Sequence, residues 1–408
     1  MRFIGMDVHQ DFCEIAIAEH GQVRSAGRVK TTRAELELFA QSLGPDDHVA
    51  LEATANALAI ARLLEGHVAR VVVANTKKLR QISEAKTKTD RLDARTLARV
   101  LASGFLDAVW MPDEATRALR RWIARRAQLV RQRTRAKNEI HAVLVRTLTI
   151  GPGVSDLFGK AGLAWLAPVE LPFDERVTIE GCLRQIAFLD AEIAIVEQAI
   201  AERALASSEI RRLLTVPGVD MITAATFMAF VGDIARFCTP RQLVGYFGLD
   251  PKVRQSGSGP ARHGRISKEG ASEARHVLCE AAKAAARTPG PLRAFAHRVR
   301  ARRGSNIATV AVARKLCVLF WHLLSTSEDY AYGRPSLTAK KLRRLVADWS
   351  ASGPKKTAGA GAANGARTSR PSTGKAARQA TAPEPALQHG VHPHPTGSVS
   401  QPHARVQT

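Results

Sequence analysis

Four carboxylates stand where alternating strands and helices could bring them together. Asp7 ends the apolar run RFIGMDV, Glu52 closes HVALE, and Asp90 and Asp93 lie at i and i+3 on one face of the helical pattern TKTDRLDARTLARVLAS. Four such groups in one pocket repel one another unless divalent cations neutralise them. An all-oxygen ligand set selects Mg2+ or Mn2+. Two such ions about 4 Å apart would polarise a phosphodiester and stabilise both the attacking and the leaving oxygen. Any one of these acids alone reads as a turn or cap residue; their order along the chain carries the metal reading. Glu84 lies near the last pair and competes for the same role.

A second group with chemical potential lies in KVRQSGSGPARHGRISKEGASEARHVL, a Gly-rich basic loop containing Ser256 and Ser258. Glycines let such a loop approach a backbone, and Arg254, Arg262, Arg265, Lys268 and Arg275 supply phosphate partners. A serine here either hydrogen-bonds a phosphate or acts as a nucleophile, given a base or a lowered pKa. His263 is close in sequence, but no local histidine motif supplies that base. Upstream, Val216-Pro217-Gly218-Val219 joins two apolar segments in the form of a helix-hairpin-helix, the second helix beginning near Met221. Gly218 would let backbone N–H groups approach a phosphate; the alternative is a helix corner punctuated by Pro-Gly.

The elements that must hold these residues can be read from the pattern. Residues 2 to about 103 give the order β-β-β-α-β-α-β-α, with Thr32 as N-cap of the first helix. That order is RNase H-like, and in such a sheet the first and fourth strands are neighbours, so Asp7 and Glu52 would converge. No G-x-G-x-x-G follows the first strand, which further weighs against dinucleotide binding. From Arg117 to Lys137 run Arg120, Arg121, Arg125, Arg126, Arg131, Arg133 and Arg135 with no acid between them. Leu119, Trp122, Ile123, Leu129, Val130, Ile140, Val143, Leu144 and Leu148 fall largely on one face, so the spacing predicts one long amphipathic helix. Its cations are either a solvated face or, since they lack i,i+4 acids, a track for a phosphate backbone. Ile186, Leu189, Ile193, Val196 and Ile200 step by three and four, the spacing of a coiled-coil seam, beside Asp190, Glu192, Glu197 and Glu202. This acidic helix pairs with the basic one or joins two subunits. The expected organisation is a metal-binding domain over 1–106, a basic helix and coiled coil over 107–206, a mainly α domain over 207–330, and a mostly disordered basic tail over 331–408.

Composition narrows the class. The chain has 408 residues and 60 Lys+Arg against 37 Asp+Glu, a formal charge of +23. That surplus implies a polyanion partner. No run of 18 apolar residues marks a membrane span, and Asp7 stands where a secretory segment has its apolar centre. Five cysteines, none in a Cys-x-x-Cys pair, fit a reducing cytoplasm and neither a cysteine zinc site nor a disulfide framework.

IGMDVHQDFCEIAI, then LEATA, then VANTKKLRQISEAKTKTDRLDARTLARVL resembles the RuvC-like domain of the DEDD transposases of the insertion sequence 110 family, relatives of the Piv invertases. VPGV, FGLDP, SG, GRISKEG and RARRGSNIATVAVARKLCVLFWHLL resemble successive blocks of the same family's transposase domain. The resemblance covers about 1–330. Two departures stand out: Ala55 where the family has Gly after Glu-Ala-Thr, and Ala274-Arg275 where it has Leu-Arg. The resemblance implies Asp7, Glu52, Asp90 and Asp93 as the metal-binding acids. It implies Ser256 as the residue that attacks DNA, with Ser258 as the alternative. It further implies a homo-oligomer, dimer or tetramer, with an active site shared between subunits, and a guide RNA transcribed from the element. Two other functions remain open on the residues alone: a metal-dependent junction-resolving nuclease using water, and a non-enzymatic nucleic-acid binder.

Overall fold

The structure, a computed structural model, describes residues 1–75, 89–257 and 259–350. Glu84, Ser258 and the expected tail beyond 350 lie outside the described residues.

The chain opens with β1 (Phe3–Val8), β2 (Phe12–Glu19) and β3 (Gln22–Lys30), then α1 (Arg33–Gln41), β4 (His48–Glu52), α2 (Ala57–Leu64), β5 (Arg70–Ala74) and α3 (Asp90–Ala102). Thr32 caps α1 through a side-chain bond from Glu35 N, as the sequence predicts. The five strands lie in the order β3-β2-β1-β4-β5, so β1 and β4 are neighbours. β1 and β2 are antiparallel, whereas β4 runs parallel to β1 and β5 parallel to β4. Period-2 alternation divides the sheet. Ile4, Met6, Ile15, Val49 and Leu51 pack against Leu36 of α1 and Ile60 and Leu64 of α2. The opposite face carries small residues, Ala16, Ala18 and Ala50 among them, and is covered by α3 through Ala94, Leu97, Ala98 and Leu101.

The remainder is mostly helical. α4 (Glu114–Arg146) and α5 (Lys160–Leu166) are followed by α6 (Phe173–Ala206), α7 (Ser208–Leu213) and α8 (Met221–Val231). After α9 (Pro240–Tyr246) comes a hairpin of β6 (Pro251–Arg254) and β7 (Arg262–Ile266). Then follow α10 (Ser272–Ala285), α11 (Pro291–Arg303), α12 (Ser305–Thr326) and α13 (Pro335–Ser350). The two long helices pair antiparallel within the chain. All five seam residues from Ile186 to Ile200 are buried. Each contributes roughly 1.5–3 kcal/mol of burial. Flanking pairs Arg126–Glu197, Arg133–Asp190 and Arg146–Glu175 match the charges. Exposed pairs are worth at most about 1 kcal/mol each, so the apolar seam holds the helices and the charges set their register.

Phe227, Phe247 and Phe320 form the centre of the helical core, with Phe227 edge-on to Phe320 at 4.9 Å. α12 is long and apolar enough to cross a membrane by length and composition, although Arg314 and Lys315 break its apolar run. Its Val312, Ala313, Leu316, Cys317 and Phe320 fill this core, which accounts for the apolarity. The segment expected as tail from 331 opens with α13. Its Lys341 ammonium donates to the Leu214 and Val216 carbonyls at 2.7 Å each, and burial lowers its pKa to about 8.

Gly218 departs from the sequence reading. It adopts φ +81°, and a Cβ there would stand 2.5 Å from Ala285 N and 2.6 Å from Ala281 O of α10. Its open face is therefore covered by a helix and not offered to a phosphate. The N-terminus of α8 is occupied too, because the Asp220 carboxylate accepts from Thr223 N at 2.8 Å. An acid at the N-cap satisfies the dipole that a phosphate would otherwise use and repels the anion. Gly218→Ala is expected to destabilise the protein by at least about 2 kcal/mol, from left-handed backbone strain plus overlap with α10. Denaturant unfolding without nucleic acid measures this; unchanged stability with weakened DNA binding would reverse the assignment.

Candidate functional site

Three carboxylates lie side by side on the face of the sheet covered by α3. Asp7 of β1 pairs directly with Glu14 of β2, and Glu52 follows the Met6–Leu51 pair on β4. Directly paired residues share a face, so these side chains point the same way. Asp7 and Glu14 are 2% and 1% exposed. Glu14 is neutralised by Arg28 at 2.7 Å and Arg91 at 3.4 Å, with Arg28 also stacked on Phe12. Among the described residues Asp7 has no Lys or Arg partner, and Glu52 shares a hydrogen bond with it.

The N-terminus of α3 closes over this group. Thr89 caps the helix by accepting from Leu92 N at 3.3 Å, which makes Asp90 its first residue. The helix can come this low because β1 has Gly5 beneath it. A Cβ at Gly5 would fall inside the Ala94 and Ala98 backbone. Asp7, His9 and Asp90 consequently offer ligand atoms that all lie within 4.8 Å of one another. The His9 Nε2 is 3.1 Å from Asp7 Oδ2 and 3.4 Å from Asp90 Oδ1. Glu52 and Asp93 lie outside that 4.8 Å group; Asp93 is half-buried one turn along α3.

Burial pushes the Asp7 carboxyl up to about 7, with the hydrogen bond it donates to Glu52 and the Glu52 charge adding to the shift and His9 opposing it. A carboxyl that holds its proton near neutrality, beside a second acid and an imidazole, is a donor set short of positive charge. Such a set fits a divalent cation, which would replace the proton.

Ser256 sits at the tip between β6 and β7, a segment expected as loop and found as a two-stranded ribbon. It is exposed and precedes Gly257 at φ +60°. The base of the ribbon is locked by Ser267 Oγ donating to Asp250 Oδ1 at 2.8 Å. Gly248 and Gly270 bring the FGLDP and GRISKEG segments into direct backbone contact, since a Cβ on Gly248 would overlap Glu269 and one on Gly270 would overlap Tyr246. Lys268 is held in the left-handed region at φ +57° by this closure. Arg254 and Arg265 are exposed, with no carboxylate partner among the described residues. Among the described residues no hydrogen bond or ion pair joins Ser256 to the carboxylates.

The arginine helix is more engaged than its sequence suggests. Arg120 turns inward, donating to the Ala229 and Phe230 carbonyls at the end of α8 and lying over Trp110. Arg121 pairs with Glu114, and Arg125 with Glu192. Arg131 and Arg135 are exposed and have no carboxylate partner among the described residues. Two residues of the centre stand outside the four acids that the sequence pattern singles out, His9 and Glu14. The Asp7-Val8-His9 spacing, period two at a strand end, is the signal that places His9 on the Asp7 face. Glu14 leaves no such signal, because only the pairing register sets it beside Asp7.

Residues 210–297 match the family described as Transposase IS116/IS110/IS902 family, and residues 4–149 match the DEDD transposase family of IS110. A Sinorhizobium fredii protein named "Putative transposase y4qE" is 34% identical over 288 residues, 69% of this chain and 70% of that one. The "Probable family 20 transposase" of Pseudomonas aeruginosa is 28% identical over 343 residues, covering 81% and 98% of the two chains. The transposase for insertion sequence element IS1111A of Coxiella burnetii is 27% identical over 341 residues, covering 82% and 92%.

Because its pKa is raised, Asp7 takes up a proton on folding. The stabilisation from that proton is complete below the ordinary carboxylate pKa and is lost as pH rises through about 7. A metal ion displaces the same proton, so its stabilisation should grow over the same range. The Mg2+-induced rise in Tm is expected to be larger at pH 8 than at pH 6, with Asp7→Asn abolishing it while raising the Tm of the metal-free chain at pH 8. Thermal unfolding with EDTA or Mg2+ measures both; an equal Mg2+ effect at the two pH values would contradict the assignment.

Proposed function

The chain belongs to the IS116/IS110/IS902 family of insertion-sequence transposases, enzymes that cleave and rejoin DNA, and we propose that it does so with Ser256 as nucleophile and a carboxylate-bound metal centre. The observation that carries this reading is the convergence of Asp7 and Asp90, with Glu52 hydrogen-bonded to Asp7, at one end of a sheet ordered 3-2-1-4-5. The strand order and the position of the acids support an RNase H-like, RuvC-like domain.

Asp7, Glu52, Asp90 and Asp93 would hold Mg2+ or Mn2+, two ions in this reading. The bound metal offsets charge on the phosphate and favours the alkoxide form of an attacking hydroxyl. The protein's own residues do the rest. The glycine-locked ribbon presents Ser256 in the open, and Arg254, Arg265 and Lys268 bind the strand on either side of the reacting phosphate. The Ser256 Oγ loses its proton and forms a phosphoester as one P–O bond of the strand breaks, and the released hydroxyl takes up a proton. Attack by the hydroxyl of another strand on the phosphoserine reverses the step, restoring a phosphodiester and the free serine.

The acids and the serine come from different parts of the chain, which favours a homo-oligomer, dimer or tetramer, in which one subunit's acids meet another's ribbon. Arg131 and Arg135 on α4, with Arg121 and Arg125 beside them, suit the backbone of a guide RNA. The polyanion partners, with no membrane, account for the net charge, and five free thiols suit the cytoplasm.

The decisive experiment is a denaturing gel of labelled element-end DNA after reaction with full-length protein and Mg2+. The parent should leave a protein–DNA adduct. Ser256→Ala should remove it and lower strand transfer by at least about 10³-fold, while Ser258→Ala retains it. Undiminished cleavage by Ser256→Ala would point to water as nucleophile.

A further inference from the structure

We propose that His9 is itself a ligand of the metal, a nitrogen donor beside Asp7 and Asp90 that gives the site a preference for Mn2+ over Mg2+. The inference rests on reading this cluster as the metal centre, and it adds a donor outside the four carboxylates.

The geometry points to it in three ways. First, His9 Nε2 faces two carboxylates at once, at 3.1 Å and 3.4 Å. A neutral imidazole has one N–H at that nitrogen and can direct it well at only one oxygen. A cation between the three groups satisfies all of them. Second, the spacing suits a shared ion, because neighbouring donors on an octahedral ion with bonds of about 2.1 Å stand about 3 Å apart.

Third, the protein holds the His9 backbone and packs its ring. The His9 backbone N–H donates to Phe12 O at 2.9 Å, turning the chain tightly between β1 and β2. Its carbonyl accepts from Thr31 Oγ1 at 3.2 Å and Asn56 Nδ2 at 3.5 Å. The imidazole lies against the Phe12 ring, centroids 4.9 Å apart. A backbone anchored through both its N–H and its carbonyl and a ring packed on a neighbour leave the side chain few places to go other than beside Asp7 and Asp90.

The consequence follows from donor type. Mg2+ takes oxygen ligands and releases them to nitrogen reluctantly, whereas Mn2+ accepts imidazole readily. A His9 that only hydrogen-bonds Asp7 would instead hold the carboxylate for either metal and weaken both equally when removed.

The test uses the full chain loaded with Mn2+ and pulsed electron paramagnetic resonance. The parent should show modulation from a directly bound 14N nucleus. That modulation should vanish in His9→Gln and His9→Ala while Mn2+ still binds. Competition between the two metals, followed by the Mn2+ signal, should show the Mn2+ over Mg2+ preference falling by about tenfold in both variants. The Gln variant keeps a polar side chain in place should the Ala variant fail to fold. Bound Mn2+ without nitrogen modulation in the parent, or an unchanged metal preference in the variants, overturns the role of His9 and leaves the carboxylate centre standing. A parent that binds no Mn2+ overturns both; Mn2+ lost in Asp7→Asn while the His9 variants keep it separates the two.

Discussion

The contact between α3 and Gly5 is the constraint on which the rest of the site depends. A helix can lie directly on a strand only where side chains are absent or small, and here the seam is Gly5, Ala16 and Ala18 below with Ala94 and Ala98 above. That closeness sets the height of the first turn of α3 above the sheet, and so puts Asp90 within reach of Asp7 and His9. A larger residue at Gly5 would lift the helix as a rigid body, since interiors do not yield by small local adjustments. The geometry of the acid cluster is thus held by residues that carry no chemistry.

The same seam creates the electrostatic problem that a metal would relieve. Burying Asp7 beneath α3 strips it of water, and placing Glu52 beside it adds a like charge, so the carboxyl keeps its proton to about 7. The neighbouring Glu14 is equally buried and yet has Arg28 and Arg91 for partners. Two buried acids a strand apart therefore have opposite surroundings, Glu14 facing two arginines and Asp7 a second acid and an imidazole. In the helical part the division is similar. The arginines of α4 that face α6 are matched by Glu192, Glu197 and Asp190, while Arg131 and Arg135 are exposed without a carboxylate partner among the described residues.

Much of this was legible in the residue pattern because it follows from periodicity. The strands and helices of the first hundred residues, the seam of α6, and the start of α8 near Met221 all follow from spacings of two or of three and four. What periodicity does not carry is which partner a residue meets. The ribbon around Ser256 looked like loop because its strands are short, basic and exposed, with no apolar alternation to mark them. Gly218 looked like an opening for phosphate because a left-handed glycine serves equally for that and for close helix packing; the position of α10 decides between them. Arg120 looked like surface charge because only the folded chain brings the end of α8 to it.

The amino-acid sequence by itself determined the kinds of element, the order of the acids along them and the excess of positive charge, since these depend on neighbours a few residues away. It also determined that the two long helices would match in charge. The tertiary structure alone decided that Glu14 stands beside Asp7, that the helices pair within one chain, and which arginines remain exposed. Those outcomes depend on strand register and on the approach of helices distant in sequence. The physical reason is one of range: spacing fixes which way a side chain faces, whereas burial, pairing and pKa depend on what packs against that face.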